Sequence, residues 1–389
     1  MTRPPLRVAH LNSMLTGGGT DDQCVKLARG LCQLHQQVTV IGPAGREFSQ
    51  IVRKQEVPFH PTPPEGPLKL RFIVSAAKFI RMERIGLVHT HHGRDLWPAV
   101  MATRLSGGRP LLVVTRHLAK SPSSWLSRRF LLNQCDGLIA VSEFVAKVLR
   151  EGVYEPDAVE VERRSRPPLK GDLSKIHVIQ PGIETDRFQP AESAAMRAAW
   201  GIAPEHFVFA VVGGYDFPRG KGQREFLRAA AKIQSQIPHA RFLIIGRGGL
   251  KETLEHDIDE LRLQRKAWLA PYCQDMPAAM NALDCLVHPQ VGTEAFGAVL
   301  LEAFACGKPV IASALDGITE AFAAGQQGRL VQPENVNELA AALAIQAKVP
   351  PLSGAQRRAL HDRVASQFSL AQLSRKVLDY YLDLVRRRG

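Results

Sequence analysis

Aromatic residues make up only 6% of this 389-residue chain, and its six cysteines include no C-x-x-C pair. Few aromatics leave little on which to stack bases, so a nucleic-acid-binding role is a poor reading even at a sequence pI near 9.7. The scattered cysteines argue for reduced thiols; Cys24, Cys285 and Cys306 fall inside apolar periodic segments, where a thiol behaves as a small buried hydrophobe. No stretch is apolar for the length needed to cross a bilayer. The N-terminal MTRPPLRVAHLN enters a strand without the charged, apolar and small-residue succession of an export signal, and the expected location is cytoplasmic. The dinucleotide fingerprint G-x-G-x-x-G is missing at the first strand-to-helix turn. There Gly17, Gly18 and Gly19 run together and no acid ends the second strand, QVTVIG, which disfavours a dehydrogenase.

What is present suits a large globular chain. The apolar fraction is 45%, and the length exceeds what one hydrophobic core usually supports, so two domains are expected. The net charge of +13 is uneven: residues 1–190 carry 27 Lys and Arg against 17 Asp and Glu, and the rest carry 23 against 20. The first half is therefore the one expected to meet an anionic surface or substrate.

Strand-like and helix-like runs alternate throughout, the pattern of parallel sheets covered on both faces. In the first half Arg7–Asn12, Gln37–Gly42, Gly86–Thr90, Leu111–Thr115 and Gly137–Val141 read as strands. In the second half His206–Gly213, Ala240–Gly246, Asp284–His288 and Lys308–Ile311 do so, with helices near 222–236, 251–263, 296–306 and 335–347. Gln180–Pro190 (QPGIETDRFQP) reads as a stiff, extended connection, and Gly152–Lys175 as an exposed insertion. The expected organisation is a Rossmann-like domain over 1–185, a second over 186–368, and a terminal helix, 369–389, that returns to the first.

The chemistry concentrates in a few loops. Gly18 and Gly19 precede the first crossover helix, where glycine permits close backbone approach and the helix end offers N–H groups to an anion. In HPQVGTEAFGAVLLEAFACGKPVIASALDGITEAF, Glu294 and Glu302 lie eight residues apart around Phe296, Gly297 and Ala298. A little over two helical turns separates them, so both carboxylates address one elongated ligand, such as a nucleotide sugar. Arg219 and Lys221 flank Gly220 before another helix, two cations suited to a diphosphate. His117 follows a strand at the end where such sheets place ligands. His89, His91 and His92 end another strand. With no third ligand evident beside His89 and His91, metal is not expected. Two basic amphipathic stretches, Leu68–Arg84 and Ser123–Gln134, suggest contact with an anionic membrane surface, although each must also cover a sheet.

Glu294-Ala-Phe-Gly followed by Leu301-Glu302-Ala303, Gly307-Lys-Pro-Val-Ile311, Gly317–Glu320 and Gly328–Pro333 resembles the Glu-x7-Glu region and its sequel in the retaining glycosyltransferases of family four. The resemblance covers nearly the whole chain; Ala295 stands where that family usually has glycine. It implies a GT-B fold, two doubly wound α/β domains facing each other across a cleft. It also implies transfer of a sugar from a nucleoside-diphosphate donor, by family habit a uridine diphosphate sugar, to a hydroxyl of a glycan or lipid-linked acceptor. The Arg219-Gly-Lys221 spacing is similar to a variant in lipopolysaccharide-core enzymes. By the same resemblance Glu294 contacts the donor sugar, Glu302 the ribose, and the Phe296–Ala298 backbone the sugar and diphosphate. Gly18, Gly19, Arg219 and Lys221 are placed at the diphosphate, His117 near the anomeric carbon, and His91, His92 and Arg116 on the acceptor side, with no cofactor or metal required. Two other readings stay open on the residues alone, a nucleotide-sugar epimerase of related architecture and a non-catalytic basic binding protein.

Overall fold

The structure, a computed structural model, describes residues 4–388 apart from 16–17, 46–51, 53–54, 64–68, 153–166, 217 and 271–272. The centre of the expected insertion and part of the glycine loop therefore lie outside the described residues. The chain divides into two compact units, Met1–Gly182 with Leu370–Gly389, and Ile183–Ser369.

Among the described residues the first unit contains β1 (Arg7–Leu11), β2 (Gln37–Pro43), β3 (Phe59–Thr62), β4 (Leu87–Thr90), β5 (Leu111–Arg116), β6 (Gly137–Ala140) and β7 (Ile176–Val178). They form one parallel sheet in the order β3-β2-β1-β4-β5-β6-β7. The second unit contains β8 (Phe207–Val212), β9 (Ala240–Ile245), β10 (Ala267–Ala270), β11 (Cys285–His288), β12 (Val310–Ser313) and β13 (Gly328–Val331). These are again all parallel, in the order β10-β9-β8-β11-β12-β13. Each order reverses once, between β1 and β4 and between β8 and β11, and the carboxyl ends of strands at such a reversal open a crevice that receives ligands.

Burial on both faces explains why the inner strands read as continuous apolar runs. In β8, Val208, Ala210 and Val212 belong to one core of the second unit while Phe209 and Val211 belong to another, the period-two alternation of a strand covered twice. In the first unit Leu373, Val377 and Tyr381 of the last helix, Leu370–Arg388, share a core with Val8, Leu31 and Leu87. The sequence pattern does not announce β3, β7, β10 and β13, and these four are the edges of the two sheets.

Two local expectations need correction. The segment 180–190 is not extended throughout: the Arg187 and Phe188 amides each donate to the Glu184 carbonyl at 2.9 Å. The buried Glu184 carboxylate accepts from Arg187 at 3.0 Å, closing a turn that competes with extension. The helix expected from Phe296 begins at Ala298, because Gly297 adopts φ 89° and ψ 52°, leaving Phe296 outside the helix and in the core. That left-handed conformation is accessible to glycine without a Cβ penalty.

The basic helix Leu70–Met82 docks through Phe72, Ile73, Ala76, Ala77 and Ile80, and exposes Leu70, Val74 and Met82. The helix Trp125–Gln134 likewise leaves Trp125 and Leu126 exposed. No helix among the described residues is long and apolar enough to cross a membrane.

Candidate functional site

At the carboxyl ends of β8 and β11, two loops meet. The loop after β8 carries Arg219, Gly220, Lys221 and Gly222 into the helix Gln223–Ile233, and the loop after β11 carries Glu294 to the helix Ala298–Ala305. Contact is possible because residue 222 is glycine: a Cβ there would stand 1.8 Å from the Pro289 carbonyl oxygen, and φ is +81°. Gln223, fully buried, accepts from the Lys221 amide at 2.6 Å and donates to the Gly214 carbonyl at 3.3 Å, bracing the loop from within.

The result is an ion pair between Lys221 Nζ and Glu294 Oε2 at 2.5 Å. The Glu294 backbone is fixed as well, its amide donating to Asp316 Oδ2 at 3.2 Å and its carbonyl accepting from the Gly317 amide at 3.2 Å. Burial alone would push the Glu294 carboxyl up. The contacts with His288 and Lys221 more than offset it and hold the group well below the usual carboxylate range. His288, the last residue of β11, is buried with Nε2 3.8 Å from Glu294 Oε2. That distance exceeds a hydrogen bond, and neither ring nitrogen has a hydrogen-bond partner. Burial lowers its pKa against the opposing pull of Glu294, so the ring is neutral. Lys221 is accordingly the cation that keeps Glu294 ionised.

Arg219 is turned elsewhere, donating to Glu334 at 3.1 Å in an exposed pair of the kind exchanged at little cost. Glu302 lies within the helix Ala298–Ala305 and is half-buried. This helix begins without a side-chain cap and without an acid in its first turn, which leaves its N–H groups and positive dipole end to an anion. By contrast, the helix Gly19–Gln33 begins at Gly19 itself, with Gly18 as its N-cap residue, and has Asp21 and Asp22 in its first turn, which already complement its dipole.

In the first unit a second cluster forms where β1, β4 and β5 end. His10 and His89 are fully buried and His91 nearly so. His10 Nδ1 is 3.0 Å from His91 Nε2, and His91 Nδ1 is 3.3 Å from His117 Nε2, a chain of three imidazoles. His89 is held by the Tyr381 hydroxyl at 2.5 Å on one nitrogen and by the Thr115 hydroxyl at 2.6 Å on the other. His92 reaches Asp21 at 2.7 Å. Burial pushes His10 down to about 3 and lowers His89, His91 and His117 as well, so all four are neutral hydrogen-bonding groups at physiological pH.

The sequence pattern missed His10 as a third member of this cluster. The ligand atoms of His10, His89 and His91 lie within 4.8 Å of one another, a spacing that could hold a metal ion. Both nitrogens of His89 and of His91 are engaged, by Tyr381 and Thr115 and by His10 and His117, whereas His10 Nε2 has no hydrogen-bond partner. An ion would have to displace bonds of His89 and His91 but not of His10 Nε2. A histidine inside an apolar strand is the only available signal for His10, and for His288 it is a histidine that ends one. Gln223 carries none, since a buried glutamine at a helix start reads like any polar cap.

Two family models match the chain in separate segments. The model for Glycosyltransferase Family 4 matches residues 17–161, and that for Glycosyl transferases group 1 matches residues 192–353. A D-inositol 3-phosphate glycosyltransferase of Mycobacterium sp. is 38% identical over 176 residues, 43% of this chain and 38% of the relative. The chain thus spans about two fifths of that relative's length. A phosphatidyl-myo-inositol mannosyltransferase of Mycolicibacterium smegmatis is 28% identical over 347 residues, covering 84% of this chain and 80% of the relative. The structure of Anabaena HepE in complex with UDP and glucose superimposes with a TM-score of 0.76 at 19% identity, covering 97% of this chain and 99% of that one. This likeness establishes the GT-B fold.

Proposed function

The chain belongs to glycosyltransferase family 4, and from that premise we propose that it moves a sugar from a nucleoside-diphosphate donor to an acceptor hydroxyl with retention of anomeric configuration. The observation that carries this reading is the Lys221–Glu294 pair beside an uncapped helix end at the strand reversal of the second unit. A cation and a carboxylate held against each other in the free protein are two halves of a donor site. Lys221 turns to the diphosphate, Glu294 accepts hydrogen bonds from sugar hydroxyls, and Glu302 accepts from the ribose.

Breaking the bond from the anomeric carbon to the diphosphate sends its electron pair to the leaving oxygen. Lys221, Arg219 and the N–H groups after Gly297 stabilise that developing charge. The acceptor oxygen bonds to the anomeric carbon on the face the diphosphate leaves, and its proton passes to a departing phosphate oxygen. His117, neutral, donates or accepts a hydrogen bond to a hydroxyl of the reacting sugars and does not act as a cation. Asp21 and Asp22 in the first turn of the helix Gly19–Gln33 support assigning the diphosphate contacts to the second unit. Uridine is the proposed base, supported by the nucleotide bound to HepE. The acceptor is proposed to be a glycan or glycolipid of a cell-surface polysaccharide or lipopolysaccharide, and the exposed Leu70, Val74 and Trp125 on basic helices suit a lipid interface.

A thermal-shift panel of nucleotide sugars tests the reading. A donor at a hundredfold excess over its Kd adds about 2.7 kcal/mol of stability, so one or more uridine diphosphate sugars raise the melting midpoint by several degrees. No response to any nucleotide sugar contradicts it.

A further inference from the structure

The first unit contains an open pocket at the carboxyl end of β5 whose chemistry the donor reading leaves unused. Arg116, the last residue of β5, is only 7% exposed. Its Nη2 donates to the Lys120 carbonyl at 3.0 Å, and Gly93 leaves room for Nη1, since a Cβ there would lie 2.9 Å away. Its Nε has no hydrogen-bond partner, and among the described residues no carboxylate pairs with it. A buried guanidinium without an anion is strongly disfavoured unless something supplies the charge. Burial accordingly lowers its pKa to about 10.

The surrounding groups share one preference. Arg94 and Lys120 line the same pocket, and no acidic residue does so among the described residues. Ser121, 1% exposed, also lines it with an unsatisfied hydroxyl. The helix Trp125–Gln134 starts on its wall, with Ser124 as N-cap and no acid in the first turn. A buried guanidinium, a buried hydroxyl and a helix start lining one pocket match a tetrahedral oxyanion better than a neutral sugar.

We propose that this pocket binds a phosphate group carried by the acceptor, with Arg116 and Ser121 as its buried donors and Arg94 and Lys120 as its outer cations. The assignment to the acceptor rests on the transferase reading above; the phosphate site does not. The acceptor is then a phosphorylated sugar or polyol, or a glycolipid whose phosphate lies next to the hydroxyl that is glycosylated.

Calorimetric titration of the full chain with inorganic phosphate, in saturating UDP so that the diphosphate site is filled, tests the proposal. The wild type binds phosphate, Arg116→Gln weakens binding at least about tenfold, Arg116→Lys restores part of it, and Ser121→Ala produces a smaller loss. Far-ultraviolet dichroism and an unchanged UDP affinity establish that the variants are folded. Absence of phosphate binding, or binding equal in Arg116→Gln and the wild type, overturns the site. Competition then identifies the source. Displacement of phosphate by glucose 6-phosphate indicates a soluble acceptor, and displacement only by vesicles containing phosphatidic acid indicates a lipid-borne one. Displacement by neither overturns the acceptor assignment. Failure of UDP to bind the wild type would count against the donor reading alone, because the Arg116 comparison still reports on the pocket.

Discussion

Glu294→Gln lowers transfer by about a hundredfold to a thousandfold while the melting midpoint stays within a few degrees of the wild type. The substitution keeps the shape of the side chain and removes the charge that now faces Lys221 at 2.5 Å. Stability should change little, because Lys221 is a third exposed and regains water when its partner is neutral. Activity should change greatly. A carboxylate held ionised by its neighbours accepts hydrogen bonds from sugar hydroxyls more strongly than an amide, and the difference grows as the sugar becomes cationic in the transition state. The loss is therefore expected mainly in kcat, with the affinity for UDP itself nearly unchanged. Steady-state kinetics alongside UDP titration checks both parts; unaltered turnover would remove Glu294 from the site.

Acid should unfold the first unit at a pH where ordinary carboxylates are still ionised. His10 takes up a proton at about 6.5 when unfolded and at about 3 when folded. The unfolded chain therefore binds more protons throughout that interval, and folding stability is intact above pH 6.5 and lost as pH falls below it. At pH 5 this one imidazole costs about 2 kcal/mol. His89 and His91, lowered by the same burial, act in the same direction. Asp95, raised by burial against its bonds to Ser13, opposes them, but only toward the carboxylate range. Urea unfolding at pH 7.5 and 5.0 should show a marked fall in midpoint, reduced in His10→Asn, which does not titrate. Equal midpoints at the two pH values would mean that the cluster is already hydrated or charged.

The inner strands were legible because both their faces are buried, so Leu111–Arg116 and Phe207–Val212 are apolar almost without interruption. The edges were not. Phe59–Thr62 contains histidine and proline, and Gly328–Val331 begins with glycine and arginine. A strand bonded on one side needs less apolar sequence and tolerates proline where no ladder donor is required. The Glu294–Glu302 motif could be read because its residue types and spacing are local. The bond from Lys221 to Glu294 spans 73 residues and depends on Gly222 lying against Pro289, which only the folded backbone reveals. His10 was hidden for a similar reason, since the cluster joins β1 to the end of β4 and the stretch around β4 shows only two of its three members.

A crystal structure with a uridine diphosphate sugar bound tests the central claim most directly. Diphosphate oxygens should lie about 3 Å from Lys221 Nζ and from the amides that open the helix Ala298–Ala305, with Glu294 released from Lys221 and bonded to sugar hydroxyls. A nucleotide sugar bound elsewhere, with the Lys221–Glu294 pair intact, would contradict the account.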